Sequence, residues 1–205
     1  MTRSSLTVIK VGGSLFDWPE FPRRMTEFLE ARQAADSNER LVLIAGGGPA
    51  ADLIRELDKT HALGDQPAHR LALHAMDLTA IVLSELLPGT VVVDQIADLS
   101  PVWSAGSIPV LAPRRLLDEI DQSGQTTLPA SWNVTSDSIA AWSAVQVGAN
   151  RLILLKSAPL PAGIDRHQAA RLGLVDPMLP VVALPAPWVE YVNLRERACQ
   201  PHLLP

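Results

Sequence analysis

Val8-Ile9-Lys10-Val11-Gly12-Gly13-Ser14 stands near the start of the chain, and Leu41-Val42-Leu43-Ile44-Ala45-Gly46-Gly47-Gly48-Pro49 repeats its form further on. Each is an apolar run that ends in glycines and opens into a helical pattern. Such a junction lets backbone N–H groups approach an anion, because glycine has no Cβ to block the approach. The helix start adds unpaired donors and a partial positive charge. Either turn alone reads as a tight corner in an α/β protein. The pair, with Lys10 inside an otherwise apolar strand, points to a polyphosphate site. For Lys10 the alternative is a strand-end lysine that snorkels to solvent.

Outward from these turns, β-branched runs alternate with longer helical patterns, which is the sequence form of βαβ units around a parallel sheet. Strands are expected near 6–11, 40–45, 90–94, 108–111, 151–156, 180–184 and 189–193. Helical spacing runs from Glu20 to Ala35, Ala50 to Leu57, Ala68 to Leu87 and Ser136 to Val147. The last begins at an N-cap, Thr135 or Ser136, with Asp137 in the first turn where the helix dipole favours a carboxylate. Prolines between Pro101 and Pro113 and from Pro159 onward shorten helices and make rigid turns. Ala158 to Pro187 reads as irregular connection. The expected fold is α/β, one three-layer αβα domain over residues 1–205 with a central, mostly parallel sheet and its site at the carboxyl ends of the strands.

With 205 residues, 47% hydrophobic content and a formal net charge of −5, the chain can bury a substantial core and gives no reason to expect a nucleic-acid partner. No apolar run reaches the roughly 20 residues needed to cross a bilayer, and no signal-peptide pattern opens the chain, so no membrane partner and a cytoplasmic location are expected. Cys199 is the single cysteine and reads as an inert thiol. The histidines form no HxxxH or HxH pair, so no metal ligands are assigned.

The blocks Lys10-Val11-Gly12-Gly13-Ser14, Gly46-Gly47-Gly48, Asn133-Val134-Thr135-Ser136-Asp137-Ser138 and Gly148-Ala149-Asn150-Arg151-Leu152-Ile153-Leu154-Leu155 occur in the order found in the amino acid kinase superfamily, which the chain resembles over nearly its whole length. Within it, His69 to Leu78, Ser131 to Ser138 and the Leu174-Val175-Asp176 tail are similar to the aminomethylfuran phosphate kinases of methanofuran biosynthesis. The resemblance implies an ATP- and magnesium-dependent kinase and a homo-oligomer, commonly a dimer. An exposed apolar face on the Ala68 to Leu87 helix is the candidate contact, though the sequence alone does not show which face pairs. It also implies that Lys10, Gly12, Gly13, Gly46, Gly47 and Gly48 embrace the transferring phosphoryl group. Asp137 would then hold the catalytic lysines or help position magnesium; a plain first-turn acid is the alternative.

The helix from Ala68 to Leu87 faces the acceptor in the kinases this chain resembles. Arg70, His74 and Asp77 share one of its faces, where arginine suits a phosphate and aspartate an ammonium; a solvated polar stripe is the other reading. Asn133 and Ser136 join them as acceptor-site candidates. Trp132 and Trp142 flank that loop, either as walls of the site or as core. The resemblance also has departures. Where similar kinases carry a threonine-aspartate pair and then a glycine turn, this chain reads Lys156-Ser157-Ala158-Pro159-Leu160-Pro161-Ala162-Gly163, and no lysine follows Lys156. Lys156 supplies the missing charge, an arginine such as Arg166 or Arg171 does, or ATP-dependent catalysis has been lost. Two readings follow: a small-molecule kinase acting on a phosphate- or amine-bearing metabolite, or a non-catalytic relative that binds a phosphorylated metabolite or a partner protein.

Overall fold

The computed structural model describes residues 5–122, 128–183 and 188–205. Strand β1 (Leu6–Val11) leads through the first glycine turn to α1 (Phe21–Ala35), and β2 (Arg40–Ala45) leads through the second to α2 (Gly48–His61) and α3 (Asp65–Leu86). Then come β3 (Thr90–Val93), α4 (Leu99–Ser104), β4 (Ile108–Leu111) and α5 (Pro113–Gln122). The second half holds α6 (Ser136–Gln146), β5 (Arg151–Lys156), α7 (Arg166–Arg171), α8 (Leu179–Val182), β6 (Trp188–Asn193) and β7 (Pro201–Leu203).

All seven strands join one sheet in the order β3-β4-β2-β1-β5-β6-β7, parallel except for the β6–β7 pair. The central strands are apolar on both faces because helices cover both. On one face Val8, Val42, Ile44, Leu152 and Leu154 pack with Ile139 and Ala140 of α6 and with Leu179 of α8. On the other, Ile9, Val11, Leu43 and Leu155 pack with Phe21 and Met25 of α1 and Leu83 of α3. The mostly parallel αβα architecture is the expected one.

Five elements differ from the sequence reading, among them the short helix α4 (Leu99–Ser104), which lies in none of the expected helical stretches. The 180–184 run reads as a strand through its valines, yet Leu179–Val182 is a short helix with a proline in its first turn, and residue 184 lies outside the described residues. Proline suits that position because its missing N–H is not needed there. The stretch from Ala158 also contains α7, started by an Asp165–Gln168 capping box, while residues 184–187 lie outside the described residues. Helix α5, a mostly charged segment that starts at Pro113 and buries Pro113, Leu116 and Leu117, and the three-residue edge strand β7 fall in none of the elements expected from the sequence.

The two glycine turns are packed against each other. A Cβ on Gly13 would lie 2.4 Å from Gly48 N and 2.5 Å from Gly48 Cα, and Gly48 has φ +50. The glycines therefore let two backbones touch. Gly13→Ala drives a carbon into backbone that has nowhere to go, so it is expected to lower stability by about 2–3 kcal/mol, near the upper end for overpacking. Gly106→Ala, with φ +77 but nothing within 4 Å of its Cβ position, should carry only the backbone strain, roughly 1–2 kcal/mol. Urea midpoints of the two variants test this, and equal losses would show that the contact between the turns is not what requires glycine.

Candidate active site

Lys10 pairs in register with Ile44 on one side and Leu154 on the other, so its side chain leaves the middle of the sheet on the face that α6 covers. It is only 3% exposed. Lys156 ends the adjacent strand β5, two residues beyond the partner of Lys10 and therefore on the same face, about 7 Å further along the sheet. The first turn of α6 places Asp137 between them. Lys10 Nζ lies 2.8 Å from Asp137 Oδ1, and Lys156 Nζ lies 2.7 Å from Oδ2.

This arrangement fixes the charges. Burial alone would raise the carboxyl of Asp137, but the ammonium groups of Lys10 and Lys156 outweigh it and hold the group well below the usual carboxylate range. Burial pushes the Lys156 ammonium down to about 8; Asp137 opposes that shift and Lys10 adds to it. Thr135 is the N-cap of α6, as one of the two expected choices.

Asp176 is the residue of the candidate site to which sequence reasoning gave no role. Its Oδ2 accepts from Thr135 N, Thr135 Oγ1 and Ser138 N, and its Oδ1 from Ser138 Oγ, Met178 N and Leu179 N. It thereby caps α6 from outside, and its own backbone N–H donates to Asp137 Oδ2 at 3.2 Å. Burial and the charge of Asp137 push its carboxyl up, against the hydrogen bonds from Ser138 and Thr135. The signal in the sequence is its place in the Leu174-Val175-Asp176 segment that the resemblance picked out, followed by Pro177.

Of the predicted glycines, Gly12 and Gly46 give their N–H groups to Leu155 O and Val11 O, both at 2.8 Å. They extend the sheet ladder and shape the turns. Among the described residues, the amides of Gly13, Gly47 and Gly48 are taken up by no carbonyl. Ser14 Oγ meets Ser157 Oγ at 2.7 Å, which places the segment after Lys156 beside the first glycine turn. Arg166 is committed elsewhere, to Leu204 O and Ala183 O, and Arg171 is exposed.

A cavity of about 200 Å³ opens beside these turns, walled by Gly47 and Gly48, Arg55, His69, Trp132 and Ser136. Ser136 is where expected. Arg70, His74 and Asn133 are exposed and do not line it, and half-buried Asp77 holds Arg114 Nε at 2.8 Å, joining α3 to α5. The spacing of Arg70, His74 and Asp77 gave them one face. The rotation of α3 is set instead by buried Leu73, Met76, Ala80 and Leu83, which turns His69, Ala72 and Met76 to the cavity. Trp132 is a wall; Trp142 is core. A larger concavity, about 880 Å³, lies between α1 and residues 197–201 and is lined by none of the residues around Asp137. Convergent chemistry, not volume, marks the site.

Residues 5–159 match the amino acid kinase family. The chain belongs to the amino acid kinase family. [5-(aminomethyl)furan-3-yl]methyl phosphate kinase from Methanocaldococcus jannaschii is 29% identical over 137 residues, 66% of this chain and 58% of that protein, so the match spans less than two thirds of this relative. Among solved structures, UMP kinase from Ureaplasma parvum superposes with a TM-score of 0.66 at 14% identity, covering 95% of this chain and 92% of that one. Uridylate kinase from Archaeoglobus fulgidus gives 0.61 at 14% identity over 90% and 89% of the two chains. UMP kinase from Bacillus anthracis gives 0.63 at 12% identity over 98% and 99%. These likenesses show the amino acid kinase fold.

Because the folded Lys156 titrates near 8 and an ordinary lysine near 10.5, the unfolded chain binds more protons between those values. The cost of keeping Lys156 charged in the fold is full below pH 8 and is relieved as pH rises through that window, so this contribution makes stability rise with pH there. Lys156→Met should lack that component. Urea midpoints of both proteins across the window measure it, and parallel curves would place Lys156 in an ordinary lysine environment.

Proposed function

We propose that this amino acid kinase family member transfers the γ-phosphoryl group of ATP to a small phosphate-bearing metabolite. The observation that carries the reading is the buried Asp137 carboxylate shared by Lys10 and Lys156 beneath two interlocked glycine turns. In this reading the two ammonium groups and the turn amides flank the path of the phosphoryl group, because loose phosphoryl transfer asks of the protein mainly positioning and charge neutralisation. An acceptor phosphate oxygen forms the new bond to the γ-phosphorus as the bond to the bridging oxygen breaks, giving ADP and a diphosphate monoester. In this reading Asp137 holds both ammonium groups in place, Lys10 and Lys156 neutralise the transferring oxygens, and the amides of Gly13, Gly47 and Gly48 bind phosphate oxygens. The similarity to the aminomethylfuran phosphate kinase supports an acceptor of that kind, in methanofuran-type cofactor biosynthesis.

Among the described residues no group of three or more His, Cys, Asp or Glu side chains is placed to hold a metal ion, and both Asp137 oxygens face ammonium groups. The described residues thus offer no metal cage of their own. Magnesium in this reading enters on the ATP phosphates, where it neutralises charge, the usual way that ion is held at such sites. The place of Lys156 on Asp137 supports catalysis over the alternative of a non-catalytic binder, because the charge absent after the 157–163 turn is present at the strand end. We also place the enzyme in the cytoplasm, as one kinase-like domain; no helix among the described residues is long and apolar enough to cross a membrane.

Release of ADP from ATP and magnesium with [5-(aminomethyl)furan-3-yl]methyl phosphate as acceptor tests the reading. Lys10→Ala is expected to lower kcat by about 10²–10³-fold, the usual effect of losing one preorganised charge donor. Undiminished turnover in that variant would remove Lys10 from the mechanism. Self-association is the second element of the proposal. Helix α3 exposes Leu71 37%, Leu78 54%, Ile81 51%, Val82 39% and Leu86 37%, an apolar stripe unusual for a free surface. Sedimentation should give a dimer or larger, and Leu78→Glu with Ile81→Glu a monomer; a wild-type monomer at micromolar concentration would sink this element alone.

A further inference from the structure

Asp176 takes more hydrogen bonds than the capping of one helix requires, and it takes them beside another buried carboxylate. A helix start is ordinarily closed by the side chain of its own N-cap residue. Thr135 makes no such bond to α6; its Oγ1 donates at 3.0 Å to Asp176 Oδ2, 41 residues further along the chain. Thr135 N at 3.0 Å and Ser138 N at 2.8 Å reach the same oxygen, while Ser138 Oγ, Met178 N at 3.2 Å and Leu179 N at 2.8 Å reach Oδ1. All six contacts are donors, a shell that suits an ionised carboxylate. Burying a second carboxylate charge beside Asp137 carries a penalty that a neutral cap avoids. Its consequence is visible at Asp137. There Oδ2 lies between Lys156 Nζ at 2.7 Å and Asp176 N at 3.2 Å, which leaves Oδ1 turned to Lys10 Nζ at 2.8 Å.

We propose that Asp176 is a positioning residue for the phosphotransfer step: through the first turn of α6 and its own N–H it fixes the rotation of Asp137, and so where both ammonium groups stand. The inference rests on the phosphotransfer reading and deepens it. Asp176 also completes the charge, because Asp137 and Asp176 against Lys10 and Lys156 make a neutral buried set. Of the groups facing Lys156, Asp137 and Asp176 favour its charged form and Lys10 opposes it. Tyr191, on the same face of β6, stays neutral, its phenol pushed up to about 12 by burial and by the charges of Asp137 and Glu196. Without the Asp176 charge the set is left positive and Lys156 gives up its proton at lower pH. The Asp137 carboxylate, no longer held by a fixed N–H, can then turn toward one lysine and away from the other. A cap that only stiffened α6 would change neither the Lys156 charge nor the kcat of folded molecules.

ADP release from ATP, magnesium and [5-(aminomethyl)furan-3-yl]methyl phosphate by Asp176→Asn tests this, with the folded fraction taken from circular dichroism. The asparagine keeps the size of the side chain but loses its charge and turns an N–H group toward donors. Its kcat is expected to fall about 10–100-fold, the effect of a slightly misplaced reacting group, with KM for ATP within about threefold. The alkaline limb of kcat/KM, set by Lys156 near pH 8 in the wild type, should move to lower pH. Gly106→Ala, destabilised far from these residues, should show neither change. Where Asp176→Asn does not fold, Ser138→Ala decides, since it removes only the Oγ donor; kcat at least about twofold lower at unchanged KM is expected. An unchanged kcat in the variant that folds, an unmoved limb in Asp176→Asn, or an equal loss in Gly106→Ala overturns the proposal.

A readout without turnover separates the two readings. The chain has three lysines, Lys10, Lys59 and Lys156, so their ε-carbon NMR signals can be titrated one by one. A Lys156 midpoint that falls in Asp176→Asn, in a protein whose wild type transfers no phosphoryl group, overturns the phosphotransfer reading but not the control of the Lys156 charge by Asp176. Lys10-dependent turnover that Asp176→Asn leaves intact overturns this inference alone.

Discussion

One carboxylate between two ammonium groups organises this molecule. A lysine in the middle strand of a parallel sheet is costly to bury, and Lys10 is held there because Asp137 meets it at 2.8 Å. That contact sets where α6 begins. The helix start must stand above β1 and β5, at the height where Asp137 reaches both Lys10 and Lys156. The same helix end adds positive potential, so Asp137 is stabilised by three sources and remains ionised despite its burial. Removing any one partner of such a group strands the others, an effect on the order of 3–5 kcal/mol for buried pairs.

The sheet and the strand-end location of the site were legible because their signals are local. A strand ending in glycines, a lysine within it and a capped helix starting at Ser136 are each readable from a few neighbouring residues. The Lys156–Asp137 contact was open in the sequence as one of three choices. Deciding it requires the β1–β5 register, in which Val11 stands opposite Leu155, and register is a property of pairing between distant segments. The lining of the cavity beside the glycine turns was missed for a related reason. Periodicity groups Arg70, His74 and Asp77 on one face, but which face looks at the site depends on how α3 seats its buried residues against β2, β4 and α5. Asp176 was harder still: its segment carried part of the resemblance, but nothing local shows that its carboxylate caps α6, a helix about forty residues earlier in the chain.

The glycine turns show why residue type alone is an ambiguous sign of phosphate binding. At Gly13 and Gly48 the missing Cβ is used by the opposite turn, not by open space. Interlocking nonetheless serves an anion site, because it fixes the amides of Gly13, Gly47 and Gly48 relative to the α2 start. Donors held in place before a ligand arrives need no reorganisation. Structural and functional readings of these glycines therefore describe one requirement.

Asp176 extends that logic to the far end of the chain. The segment after β5 departs from the pattern of similar kinases in its prolines and its missing aspartate, yet it is tied down at several points. Ser157 touches Ser14, Tyr191 OH donates to Ala158 O at 2.9 Å, and Asp176 grips the α6 start while its amide steadies Asp137. In the proposed reading, the charge that similar kinases carry on a lysine beyond the turn would stand here on Lys156, the last residue of a strand. Electrostatic stabilisation depends on where a charge lies and how little it must move, not on the segment that carries it. A strand-end lysine whose backbone is fixed by two neighbouring strands and whose ammonium is fixed by a buried carboxylate meets both conditions. The rebuilt turn is then free to change, because Lys156 no longer depends on it for position.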